Sequence, residues 1–258
     1  MSSSCCPPGS WEGPLNVEGP SEAKGTKITL GKDLTVYYTA PPPSSNIGPS
    51  RSAIIVFHDV WGLLPRVLSI CDALAEKGGF PVVAPDCFRG KTKDDVDNML
   101  EWFQEHSYEK EIANDIQLCM DFLMEKEGVS QFGAMGFCWG GWVIAKSAAN
   151  GIPWSAGVSP HPSTGIEQKA FGNDEVEMMS KVPMPFLIMP AGNDPPNLKP
   201  GHPTVEELEK KGGKCVVFDK MTHGWTTRGD LSNPDIKKDT ETALQLTLEF
   251  FKEHLSHK

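Results

Sequence analysis

The run Phe132-Gly133-Ala134-Met135-Gly136-Phe137-Cys138-Trp139-Gly140-Gly141-Trp142 decides how the rest of the chain is read. Residues 132–135 form a short apolar segment of strand type, and residues 141–150 have helical character. G-x-C-x-G-G therefore falls at a strand-to-helix turn. A nucleophile carried on so sharp a turn needs neighbours without side chains, because a Cβ there would collide with the adjacent strand or helix. Gly136 and Gly140 meet that need, which makes Cys138 the candidate nucleophile. The helix N-terminus that follows directs its dipole and free N–H groups at the sulfur, a placement that favours the thiolate.

On either side of this turn the chain alternates between two kinds of segment. Apolar runs at 53–57, 81–84, 155–158, 185–189 and 214–218 are of strand type, and residues 26–38 suit an edge hairpin turning at Gly31-Lys32. Amphipathic stretches at 66–77, 94–105, 110–126, 204–211 and 237–254 are of helix type. In residues 110–126, Ile112, Ile116, Cys119, Phe122 and Leu123 recur mostly at steps of three and four, one face of a helix. This alternation predicts an α/β fold, a mostly parallel central sheet with helices on both faces. Residues 1–25, rich in Ser, Pro and Gly, are expected to be an irregular leader, and residues 26–258 a single domain.

In such sheets active groups gather beyond the carboxyl ends of the strands. A thiol nucleophile needs a base and a group to orient it, expected here in the order nucleophile, acid, histidine. Asp194 follows the strand at 185–189, and His223 follows the one at 214–218, so both fall on loops at the required edge. His161 is the rival base, but it precedes Asp194 and breaks the order, so it is read as a pocket residue. The oxyanion hole is expected from the Trp139 N–H and from an N–H in the loop after the first long strand, with Val60 the candidate. Asp59 in that same loop is a candidate to take or hold the thiol proton, and His58 beside it is read as core.

Composition limits the remaining classes. Lys and Arg number 24 against 34 Asp and Glu, a net charge of −10 that disfavours nucleic acid and anionic membrane as partners. No apolar run approaches the ~18 residues of a membrane-spanning helix. The opening MSSSCCPPGS carries no basic or apolar signal region, so a cytoplasmic protein is expected. Seven scattered cysteines, an odd number, suit reduced thiols rather than a disulfide framework, and Cys5-Cys6 reads as a tail with two exposed thiols.

Five motifs occur in order: H-D-V-W-G at 58–62, A-P-D-C-F-R-G at 84–90, G-F-C-W-G-G at 136–141, A-G-N-D at 191–194 and T-H-G-W at 222–225. Together they resemble the dienelactone hydrolase, or carboxymethylenebutenolidase-like, family over nearly the whole chain. The resemblance implies an α/β-hydrolase fold and a Cys-His-Asp triad that cleaves cyclic enol lactones and related esters. It implies no metal or organic cofactor, a small-molecule ester or lactone as substrate, and a monomer. Carried over, Cys138 resembles the nucleophile, His223 the base and Asp194 its orienter. Asp59 stands where many members have Glu near the resting thiol. Arg89 and Arg228 resemble, with a slight displacement, arginines that bind a substrate carboxylate in bacterial members. Trp61 and Trp225, with Phe88 and Trp139, are expected to line an apolar pocket. Two alternatives stay open: a thiol-based sensor of oxidants or electrophiles, and a binding protein that has lost the reaction.

Overall fold

A computed structural model describes residues 6–13, 23–42 and 51–255. The edge hairpin forms as expected, with β1 (Thr26–Leu30) and β2 (Leu34–Thr39) joined at Gly31, whose φ of 56° is open to glycine at little cost. β3 (Ser52–Phe57) is buried at every position, as a strand can be only when both faces of its sheet are covered. Then come α1 (Pro65–Gly78), β4 (Val82–Pro85), α2 (Met99–Glu105), α3 (Ala113–Glu127), β5 (Gln131–Gly136) and α4 (Trp139–Ala149). The chain continues through β6 (Trp154–Pro160), α5 (Ile166–Phe171), α6 (Glu175–Ser180), β7 (Phe186–Met189) and α7 (Pro203–Glu209). It closes with β8 (Lys214–Cys215), α8 (Trp225–Arg228) and α9 (Pro234–His254).

The strands order as β1-β2-β4-β3-β5-β6-β7-β8, antiparallel at the β1–β2 and β2–β4 pairings and parallel from β4 to β8. Side-chain alternation on β3 divides the core. Ala53, Ile55 and Phe57 pack with α2, α3 and α4, whereas Ile54 and Val56 pack with α1 and α9. Ile112, Ile116, Cys119 and Leu123 are buried as their spacing predicts. α9 begins at Pro234 behind Asn233, whose side chain accepts from the Asp235 N–H at 3.0 Å.

Three features depart from the sequence reading. Of residues 214–218 only Lys214–Cys215 pairs as a strand, and Phe218 meets Ala191 through a single bridge. The 94–105 stretch divides into a 3₁₀ turn (Lys93–Asp95) and α2, which Asn98 caps by accepting from Leu100 N–H at 3.1 Å. α5, α6 and α8, of four to six residues, are too short to display a period.

Candidate active site

Cys138 sits between β5 and α4 with φ 52° and ψ −110°, a left-handed backbone held by contacts on both sides. Its N–H donates to the His161 carbonyl at 3.1 Å, and its carbonyl accepts from Gly141 and Ser163 N–H at 3.0 and 2.9 Å. A Cβ on Gly140 would come within 2.5 Å of the Phe57 carbonyl oxygen, and one on Gly136 would overlap the Gly140 carbonyl. The glycines therefore let α4 approach β3 and β5 closely. Trp139 is the first residue of α4, so its N–H belongs to the turn of amides without helical partners.

Asp194 and His223 arrive from loops beyond β7 and β8. His223 Nδ1 meets Asp194 Oδ1 at 2.6 Å, with both side chains fully buried. Asp194 Oδ2 accepts from Ala191 N–H at 2.7 Å, and Asn193 Oδ1 accepts from His223 N–H at 2.7 Å, which fixes the ring's backbone. Because Nδ1 is committed to Asp194, Nε2 is the nitrogen left for Cys138, whose sulfur lies within 4.8 Å of the ring donor atom. Burial alone would depress the imidazolium, but the Cys138 thiolate and the Asp194 carboxylate together hold His223 well above its ordinary value.

Burial, followed by the nearby charges of His223 and Arg228, pushes His161 well below its usual range and keeps it neutral. Its Nε2 lies 2.6 Å from Thr226 Oγ1, and its ring meets His223 edge-on at 4.9 Å. It packs edge-on against the His223 ring and makes no hydrogen bond with Asp194.

One residue at the thiol went unread in the sequence, and another reads there as lying elsewhere. Ser163 Oγ is 3.4 Å from Cys138 Sγ. Ser163 lies in the loop after β6, so the carboxyl-edge rule pointed to its neighbourhood. Cys6 Sγ is 3.6 Å from Cys138 Sγ and half-buried, in contrast with the exposed thiol expected of a tail. Cys5 lies outside the described residues. The donor atoms of Cys6, Cys138 and His223 all lie within 4.8 Å of one another, a soft set of the kind that takes zinc.

Beside the thiol, a cleft of about 190 Å³ is lined by Pro7, Pro162, Ser163, Ile166, Pro195 and Leu198. A second cleft of about 390 Å³ is lined by Lys146, Glu167, Asn173, Asp174 and Lys181, and no member of the Cys138, Asp194, His223 group reaches it. None of the three lines the smaller cleft either, but that cleft adjoins the thiol through Ser163, whose Oγ is 3.4 Å from Cys138 Sγ, and the larger one has no such link.

The family model for the dienelactone hydrolase family matches residues 37–255. The chain belongs to the dienelactone hydrolase family. It is 26% identical to the hydrolase tropI of Talaromyces stipitatus over 100% of this chain and 98% of that one. It is 28% identical to a carboxymethylenebutenolidase homolog of Xenopus tropicalis, covering 91% of this chain and 92% of the relative. A Klebsiella pneumoniae structure assigned to the dienelactone hydrolases superposes with a TM-score of 0.64, 18% identity and coverage of 88% and 97%, a likeness of fold. The resemblance carried by the five motifs is thus borne out, as is the α/β-hydrolase fold.

Within this dienelactone hydrolase-type site, the residues expected to bind substrate have other partners. Arg89 lays its guanidinium on Asp115 at 2.6 and 2.9 Å and on Asp33 at 3.2 Å. Arg228 is fully buried, bonded to Asp59 Oδ2, and donates through Nε to the Trp11 carbonyl at 2.9 Å. Both guanidinium groups are thus engaged by protein carboxylates, Arg89 through Nε, Nη1 and Nη2 and Arg228 through Nη1, with Arg228 Nε on the Trp11 carbonyl. Asp59 is correspondingly engaged: Oδ1 accepts from Trp61 N–H at 2.8 Å, and Oδ2 accepts from Thr227 Oγ1 at 2.7 Å as well as from Arg228. Trp225 is fully buried between Phe218 and His161, a core position. Trp61 is also buried, with the Lys93 amine 5.5 Å above its ring. Val60 is buried in the loop after β3, and its carbonyl accepts from Lys93 N–H at 2.8 Å.

Proposed function

We propose that this protein is a cysteine-dependent hydrolase of small ester or lactone bonds that works through an acyl-enzyme. The observation that carries the reading is the strained Cys138 thiol set within reach of a His223 ring whose other nitrogen is held at 2.6 Å by buried Asp194. The Cys138 thiolate adds to the carbonyl carbon, and the carbonyl π electrons move to oxygen, where the Trp139 and Val60 N–H groups receive them. Collapse breaks the C–O bond to the leaving group, and the His223 imidazolium supplies the proton that the departing oxygen takes. Neutral His223 then removes a proton from water, and the resulting hydroxide attacks the thioester. Collapse of that intermediate releases the acid and returns the thiolate. Asp194 holds Nδ1 protonated through both halves.

The 190 Å³ cleft suits a small acyl or leaving group, and its lining combines Pro162, Ile166, Pro195 and Leu198 with the polar Gln168, Lys169, Glu175 and Asn197. Because Asp59, Asp115 and Asp33 occupy the two candidate arginines, a neutral ester suits the site better than a substrate that needs a carboxylate clamp.

The test is wild type and Cys138→Ala side by side on a neutral aryl ester and on a dienelactone, with intact mass after rapid quench. Ester cleavage and a transient acyl adduct on wild type, both lost in the variant, are expected. Undiminished turnover by Cys138→Ala on an ester that wild type cleaves would overturn the mechanism.

A further inference from the structure

Residues 6–13 lie over the catalytic loops as a strap. Trp11 N–H donates to the His223 carbonyl at 3.0 Å, and the Trp11 carbonyl accepts from Arg228 Nε at 2.9 Å. Asn193 Nδ2 donates to the Pro8 carbonyl at 3.1 Å, and Glu12 pairs with Lys93 at 2.6 Å. Three of these anchors are on or beside the A-G-N-D and T-H-G-W loops that carry Asp194 and His223. They hold the strap where its first described residue, Cys6, meets the nucleophile at 3.6 Å between sulfurs. Two sulfurs held on one protein surface meet at an effective concentration that free thiols in solution rarely match.

We propose that Cys6 and Cys138 form a reversible disulfide that closes the active site when the protein meets a hydroperoxide. The Cys138 thiolate attacks the peroxide O–O bond. That bond breaks, the leaving oxygen departs as water or alcohol with a proton, and the sulfur, oxidised by two electrons, becomes a sulfenic acid. The Cys6 sulfur then attacks the Cys138 sulfur, the S–O bond breaks, and the second oxygen leaves as water with the Cys6 proton. A dithiol reverses the step by way of a mixed disulfide, giving up two electrons and becoming a cyclic disulfide itself. A disulfide needs its sulfurs about 2.05 Å apart. The remaining approach falls to Cys6, the first described residue of the strap that Pro8, Trp11 and Glu12 hold against the loops.

The other described thiols are poor competitors. Burial pushes Cys71, Cys87 and Cys119 far up and leaves them in the core, and burial raises half-exposed Cys215 to about 11. The disulfide consumes the nucleophile and ties down the strap whose Pro7 lines the 190 Å³ cleft, so the oxidised protein has no thiolate to offer a substrate. That consequence for activity rests on the hydrolase reading above, whereas the bond itself does not.

The experiment treats full-length wild type, Cys6→Ser and Cys5→Ser with hydrogen peroxide in buffer containing a metal chelator. Alkylation, a non-reducing peptide map and an aryl-ester assay follow. In wild type and Cys5→Ser we expect a peptide joining Cys6 to Cys138, two hydrogen masses below the sum of its parts. Ester cleavage should fall in proportion to the linked fraction and return with dithiothreitol. Cys6→Ser, with its own reduced activity as the reference, should form no such peptide and progress under excess peroxide to a Cys138 sulfinic acid that dithiothreitol cannot rescue. Oxidation of Cys138 in wild type without the Cys6 link, or a link through Cys5, would overturn the proposal. A linked peptide from a protein that never cleaved esters would instead sink the hydrolase reading and leave the disulfide standing.

Discussion

Replacing Arg228 by Met separates two roles for this side chain that predict opposite results. Arg228 and Asp59 are both fully buried and bonded to each other, and Arg228 also holds the strap through the Trp11 carbonyl. Removing the guanidinium strands the Asp59 carboxylate with only Thr227 Oγ1 and the Trp61 N–H to satisfy it. Leaving one member of a buried pair uncompensated costs about 3–5 kcal/mol. In a chain of this size each kcal/mol lowers Tm by roughly 2–4 °C, so a fall on the order of 10 °C is expected. Thermal unfolding at pH 7 measures that fall and equilibrium urea unfolding the free energy, with Asp59→Asn and the double variant Asp59→Asn/Arg228→Met completing the cycle. Asp59→Asn alone should cost a similar amount. The double variant should cost less than the sum of the singles by about 1–3 kcal/mol, the coupling of groups in direct contact. A single variant within about 0.5 kcal/mol of wild type, with KM raised only for carboxylate-bearing esters, would refute the reasoning and return Arg228 to substrate recognition.

Three more outcomes follow from the same geometry. Removing the thiolate in Cys138→Ala should lower the pH at which the His223 ring titrates. One of the two groups that raise His223 is then gone, while Asp194, which raises it, and burial, which lowers it, both remain; an NMR titration in which the midpoint stays or rises would contradict a charged sulfur beside the ring. Gly140→Ala should destabilise by about 1–3 kcal/mol and reduce kcat, since its Cβ would sit 2.5 Å from the Phe57 carbonyl, and wild-type values for both would refute the close approach. Phe251→Ala should cost about 3–5 kcal/mol in urea unfolding and leave KM unchanged, because Phe251 is a fully buried ring of α9 packed over Gly133 on the face opposite α4.

Much of the frame was legible because it is written in short-range patterns. The β3 run, the 3.6-residue period of α3 and the glycines around Cys138 each report on neighbours a few residues away, and each element formed near its expected bounds. The order Cys138, Asp194, His223 was legible because each residue follows a strand, and parallel strands deliver their carboxyl ends to one edge. Ser163 was within reach of the same rule. The brief α5, α6 and α8 were not, since a single helical turn displays no period.

The sequence by itself determined the class of fold and which residue types could supply a nucleophile, a base and an orienting acid. Local propensity and strand-then-helix alternation are properties of neighbouring residues. Only the tertiary structure decided what those groups touch. Arg228 looks alike in sequence whether it awaits a substrate or is bonded to Asp59, 169 positions away. Cys6 reads as a loose tail until the strap brings it onto Cys138, across 132 positions. Charge pairing and thiol contact depend on distance in space, and the folded chain sets that distance through packing and loop closure that no local pattern records.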